Sequence, residues 1–179
     1  MGIFGSSNPV FDMLKQDHSQ VKGLFEEFEG AKDSRIKQRI IETTLLELEI
    51  HAKLEEALIY PAIRKKIDAD KIMDEALEEH HVAHTLINEL KRSAGKNGRY
   101  EAKFKVLGES IKHHIKEEEG TMFSEAENAD LDWEQLAKKA IEQKKSLMTR
   151  KERGGGDNSR RRTVKSRRRS KPRHLRKAA

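Results

Sequence analysis

The chain has 179 residues, no cysteine, 38% charged residues and a formal net charge of +6. The length suggests one domain with appendages. The missing cysteine excludes disulfides, zinc ribbons and iron–sulfur clusters, and leaves His and carboxylate as metal ligands. No apolar run approaches the roughly 18 residues of a membrane span, and no basic n-region precedes an apolar stretch. The expectation is a cytoplasmic protein with no membrane partner.

Residues 1–8 form a small, polar, Gly/Ser-rich lead, read as a flexible N-terminus. Met1-Gly2-Ile3-Phe4-Gly5-Ser6 matches the loose myristoylation pattern, a short motif that also arises by chance. Pro9 suits the first position of a helix, where its missing N–H costs nothing, and Gly30 is a plausible stop. Asp33-Ser34 offers a cap for a second helix that runs to about Pro61–Lys66, where Pro61 kinks it or marks its last turns. Asp68-Ala69-Asp70 caps a third, which ends in Ser93–Gly98. A fourth opens near Arg99 and runs to about Asn128. Asp130 or Asp132 caps a shorter fifth through about Lys145, carrying Trp133, Leu136, Ala140 and Ile141. No segment alternates like a strand. Long helices joined by short links favour antiparallel neighbours, so the predicted fold is all-α, an up-down-up-down four-helix bundle over residues 9–149 with a short fifth helix.

The charge is uneven. Residues 150–179 hold fourteen Lys and Arg against Glu152 and Asp157, a net +12, and the whole-chain +6 then leaves −6 for residues 1–149. The predicted bundle is acidic and the tail strongly basic. With Gly154-Gly155-Gly156 as a linker and almost no apolar content, residues 150–179 are predicted to be disordered.

Each long helix carries an apolar seam at three- and four-residue steps, the face that meets partner helices. The seams run Leu14, His18, Val21, Phe25, Phe28; then Ile41, Thr44, Leu48, His51, Glu55, Leu58; then Met73, Leu77, His80, His84, Ile87; then Phe104, Leu107, Ile111, His114, Glu118, Thr121. Five histidines and two glutamates therefore replace apolar residues on inward faces, where an unpaired charge is costly. An internal repeat organises them. Asp17-His18 aligns with Glu79-His80, and His51-Ala-Lys-Leu-Glu55-Glu56 with His114-Ile-Lys-Glu-Glu118-Glu119. Each half supplies a His from its first helix and a His-x-x-x-Glu pair from its second, and such pairs lie one turn apart on one face. His84 breaks the symmetry, because Lys22 is its counterpart.

A lone His on an apolar seam is usually a satisfied core histidine. The rival for the whole set is a buried hydrogen-bonded network, in which every member must be satisfied. Seven groups in register across two repeats favour a metal site. Seven ligands exceed one four-coordinate zinc and suit two octahedral ions with bridging carboxylates and an open position. Imidazole with carboxylate favours iron, with manganese or zinc as alternatives. His81 and His113 point away from the seams, and His174 is in the tail. On helix 4 either Glu118 or Glu119 can be the bridge; the seam and the repeat favour Glu118. A ferritin-like oxidase needs paired Glu-x-x-His motifs, and Glu78-x-x-His81 alone fits, off the seam.

These motifs, with Tyr60-Pro61 and Glu79-His80-x-x-x-His84, resemble the hemerythrin family over about residues 10–128, specifically its HHE cation-binding branch. The resemblance implies a four-helix bundle holding a non-haem di-iron centre, with dioxygen or another small diatomic or peroxide ligand at the iron that keeps an open position. It implies His18, His51, His80, His84 and His114 as terminal ligands, with Glu55 and a helix-4 carboxylate, Glu118 or Glu119, as bridges. In the family's oxygen carriers the helix-4 acid is an Asp five residues after its His; here that slot is Glu119. The roles this implies are oxygen, redox or iron sensing, storage or detoxification, and the chain names no separate acid, base or nucleophile for an enzyme. The basic tail implies a different class, non-specific nucleic-acid association through residues 150–179 by phosphate neutralisation. No interleaved aromatics are present for base stacking.

Overall fold

A computed structural model describes residues 8–68, 70–93 and 98–167, with side chains described as far as residue 150. The described residues are helical and contain no strand. The helices are α1 (Pro9–Gly30), α2 (Ser34–Leu54), α3 (Tyr60–Arg64), α4 (Asp70–Ser93), α5 (Tyr100–Glu117), α6 (Phe123–Ala126) and α7 (Trp133–Arg167). The chain divides into two compact units between Lys144 and Lys145. The myristoylation pattern and His174 lie outside the described residues.

The helix starts follow local chemistry. The Asn8 side chain accepts from the N–H groups of Val10 (3.0 Å) and Phe11 (3.3 Å), with Pro9 just inside. Asp33 accepts from Arg35 (2.8 Å) and Ile36 (3.1 Å). Asp132, not Asp130, caps α7 by accepting from Gln135 (2.9 Å).

In the first unit α1 packs on α2 and α4 on α5, while α1 also meets α5 and α2 meets α4. Phe28, Ile41, Leu90, Phe104 and Leu107 fill the core at one end. Each such side chain contributes on the order of 1.5–3 kcal/mol on burial. Phe25 packs against α5 where Gly108 has no side chain; a Cβ there would stand 3.0 Å from the ring. The start of α7 lies on α1. The Trp133 and Phe11 rings are 5.0 Å apart, and Lys144 pairs with Asp17.

Two features differ from expectation. The second and fourth predicted helices each contain a π-helical turn, Glu55–Ile59 and Glu118–Met122. Tyr60 N–H bonds Glu55 C=O, and Phe123 N–H bonds Glu118 C=O, each five residues back. Pro61 does not cause the turn, because Ser124 holds its place in the second copy. The extra residue moves each seam by one. Ile59 and Met122 are buried instead of Leu58 and Thr121, which are half-buried and exposed. Such turns often mark functional sites, and here each begins at the seam glutamate.

The second difference is α7, which continues to Arg167 instead of ending near Lys145. The backbone of 150–167 is therefore helical where composition predicts disorder. Lys and Arg are good helix formers, and extending a formed helix costs far less than starting one, although each of Gly154–Gly156 is unfavourable by about 1 kcal/mol.

Candidate metal centre

The repeat places four imidazoles at one level of the core. His18 on α1 faces His51 on α2, with their Nε2 atoms 3.1 Å apart. His80 on α4 faces His114 on α5, with Nε2 atoms 3.2 Å apart. All four rings are buried. Glu55 and Glu118, opening the two π-helical turns, lie among them at 0% and 1% exposure. Glu55 Oε1 is 2.9 Å from His51 Nε2, and its Oε2 is 3.3 Å from His80 Nε2. Glu118 Oε2 is 3.1 Å from His18 Nε2 and 3.9 Å from His114 Nε2. Each glutamate thus faces one His of its own half and one of the other half. Two groups of donor atoms result, His18, His51, Glu55 and Glu118 in one, Glu55, His80 and His114 in the other, with Glu55 common to both.

Three of the four outward nitrogens are also hydrogen-bonded. His18 Nδ1 donates to Glu119 Oε1 (2.8 Å), His80 Nδ1 to Glu56 Oε1 (3.0 Å) and His114 Nδ1 to Glu79 Oε2 (2.8 Å). His51 Nδ1 faces Asp17 Oδ2 at 3.6 Å, an ion-pair separation. A carboxylate behind Nδ1 keeps the proton there and turns the Nε2 lone pair inward, the arrangement that orients metal-binding histidines. Sequence reasoning assigned no role to Asp17, Glu56 or Glu79. The signal was present as the acid before His18 and His80 and the doubled acids Glu55-Glu56 and Glu118-Glu119.

His84 and Glu119 stand outside the central group. His84 is 38% exposed, and its Nε2 donates to Glu56 Oε1 (3.0 Å). Lys22, its counterpart, approaches Glu119 Oε1 at 3.6 Å. Both side chains therefore hold the outer acid of their site. His113 is exposed and lies 3.3 Å from Glu79 Oε1, and His81 is exposed. Tyr60 is buried and donates to Glu118 Oε1 (3.2 Å).

Charge is concentrated here. Burial, the largest influence on His51, disfavours its charged form, but Glu55, Asp17 and Glu118 together raise its pKa to about 10. For His80 burial is likewise outweighed by Glu55 and Glu56, and the pKa rises to about 9. Burial works to raise the pKa of Glu55, yet His51 and His80 hold it well below the usual carboxylate range. Glu118 moves the other way, raised by burial and then by Glu55. Burial, followed by Glu55 and Glu118, pushes the Tyr60 phenol well above its usual value.

The donor set fits a metal. Two imidazole lone pairs 3.1 Å apart repel unless a proton or cation lies between them. Both oxygens of Glu55 and Oε2 of Glu118 are buried without a hydrogen-bond donor, a costly state that cations relieve.

Beside the imidazoles is a cavity of ≈ 20 Å³, walled on its apolar side by Val21, Leu48, Ile87, Ile111 and Ile115. It has room for about one water-sized molecule.

An all-helical core enclosing a buried His/Glu cluster that can hold a cation defines the class. Residues 10–126 match the family described as hemerythrin HHE cation binding domain, and the chain belongs to that family. A crystal structure of a hemerythrin HHE cation binding domain-containing protein from Mycobacterium kansasii is similar, with a TM-score of 0.65 and 26% identity, covering 76% of this chain and 85% of that one. A curated relative, a DNA nickase from Nostoc sp., is 26% identical over 122 residues. That match takes in 66% of this chain, which spans 34% of the relative's length. No described helix is long and apolar enough to cross a membrane.

Proposed function

We propose that this chain is a non-haem di-iron protein that binds dioxygen or a related small ligand within an up-down-up-down four-helix bundle. The observation that carries the reading is the convergence of four Nε2 atoms on two buried, under-satisfied glutamates, with a carboxylate facing every Nδ1. His18 and His51 would hold one ion with Glu118, His80 and His114 the other, and Glu55 would be shared by both. His84 and Glu119 support this set from outside, through Glu56 and His18. Iron suits a site of imidazoles with few carboxylates. When bound, it supplies redox-active coordination positions. The protein's own part is to orient the imidazoles, hold protons on the outer nitrogens and offer a small, mostly apolar space that selects a small ligand and limits water. Sensing, storage and detoxification all use such a site.

Metal analysis with an optical spectrum tests the reading. The chain loaded with ferrous iron without air should hold about two ions, the count expected for a carboxylate-bridged pair, and should develop an oxo-bridged absorption band on exposure to oxygen. A chain that retains no iron and shows no band would overturn it.

A second reading, nucleic-acid association, is favoured by the +12 of residues 150–179 and by the kind of protein the Nostoc relative is. Phosphate neutralisation predicts binding that weakens steeply with salt and does not depend on sequence. Equal retention on DNA at low salt with and without residues 150–179 would end this reading.

A further inference from the structure

Between α4 and the π-helical turn Glu118–Met122 is a cleft of ≈ 210 Å³. Its charged groups are Glu75, Glu79, Glu117 and Glu118, against Lys71. Acidic grooves are common on proteins, so the charge alone carries little. Two other observations give it meaning. The most buried of them, Glu118, is 1% exposed, and its Oε2, which faces His18 Nε2 at 3.1 Å, has no hydrogen-bond donor. Glu118 therefore lines the cleft and also belongs to the central donor group. The carboxylates differ in exposure, with Glu75 and Glu117 exposed, Glu79 at 19% and Glu118 enclosed.

The other half carries larger apolar side chains at the corresponding positions. Leu14 stands where α4 has Ala76, Leu54 where α5 has Glu117, and Met13 where α4 has Glu75. Leu14 and Leu54 are both 0% exposed. The start of α7 also lies on that side, through Trp133 on Phe11 and Lys144 on Asp17. One backbone plan is thus plugged and covered in the first half, and left open and acidic in the second.

We propose that the cleft between α4 and the turn Glu118–Met122 is the route by which a divalent cation passes from solvent to Glu118. The inference rests on the metal reading above. Glu75 and Glu117 draw a hydrated cation to the mouth, since a cleft lined by one sign of charge raises the local concentration of its counter-ion. Ala76 leaves the passage clear, and carboxylate oxygens replace the ion's waters in order of increasing burial.

The test follows cobalt(II) uptake by the metal-free full chain, read by the visible absorbance of the bound ion in a stopped-flow instrument. The Glu75→Gln/Glu117→Gln double variant should load about tenfold more slowly at low ionic strength, the lower end of such steering effects. It should reach the same final cobalt content, and the rate difference should shrink in high salt. Ala76→Leu, which installs the plug of the first half, should also slow loading; the double variant alters exposed residues and tests the route even if Ala76→Leu fails to fold. A double variant that loads at the wild-type rate in low salt overturns the route and leaves the metal reading intact. Wild-type chain that takes up no cobalt overturns both.

Discussion

The two halves of the core carry the same inward donors in different surroundings. His18, His51 and Glu55 repeat as His80, His114 and Glu118, and the outer acids Asp17 and Glu119 repeat as Glu79 and Glu56. Around them the copies diverge. In the first half Asp17 is tied to Lys144 of α7, and Phe123 stacks near His18 at 6.4 Å. In the second half Glu79 meets the exposed His113, and Tyr60 lies 5.8 Å from His80 and donates to Glu118. The comparison separates what a repeated sequence must keep, the inward charge balance, from what each copy is free to vary, access and covering.

The largest expected effect comes from removing what the halves share. Glu55→Gln takes one carboxylate from both donor groups, and metal content measured after iron loading should fall nearly to background. Retention of two ions would show that the halves bind independently. Next is a contrast between an inward and an outward imidazole. His51→Ala should lower metal occupancy far more than His113→Ala, because His51 is buried on Glu55 and His113 is exposed. Equal losses would break the assignment of inward faces.

The outer acids give a smaller effect and sharpen the comparison. Asp17→Asn and Glu79→Gln should each weaken metal affinity by about 10–100-fold, the usual cost of losing the partner that orients a metal-binding histidine. Asp17→Asn should in addition lower the melting temperature of the metal-free chain more than Glu79→Gln, since it strips Lys144, 18% exposed, of its charged partner. Matched melting temperatures would mean that the covering by α7 does not depend on that pair. A last contrast is Tyr60→Phe, which gives the first half of the sequence the aromatic that Phe123 provides at the corresponding place in the second. Losing the bond to Glu118 should cost about 1–3 kcal/mol in chemical denaturation, the penalty of a buried acceptor left unpaired. No change would show that the phenol does not support Glu118.

Much of the centre was legible before the structure. Helical periodicity and the 62–63-residue offset put His18, His51, His80, His114, Glu55 and Glu118 on inward faces, and all six are buried. That inference works because a polar residue on an apolar seam points into a core whichever helices surround it. His84 shows the limit of helical periodicity. It lies one turn from His80 on α4, but 38% exposure and a bond to Glu56 put it at the margin. Whether a seam residue reaches the centre depends on its height along the helix relative to three neighbours, which spacing within one helix does not encode.

By itself, then, the sequence determined the helical class, the caps at Asn8 and Asp33, the repeat and the kinds of donor atom in the core, because these follow from local hydrogen bonding and the period of a helix. Tertiary structure decided the rest. The π-helical turns at Glu55 and Glu118 arise where a buried charge must face partners on other helices, and local propensity does not call for them. The pairing of Asp17, Glu56, Glu79 and Glu119 with particular imidazoles depends on which helices lie side by side. The covering of one half by α7 and the open cleft of the other depend on contacts between residues as far apart as Asp17 and Lys144, and no sequence window contains both.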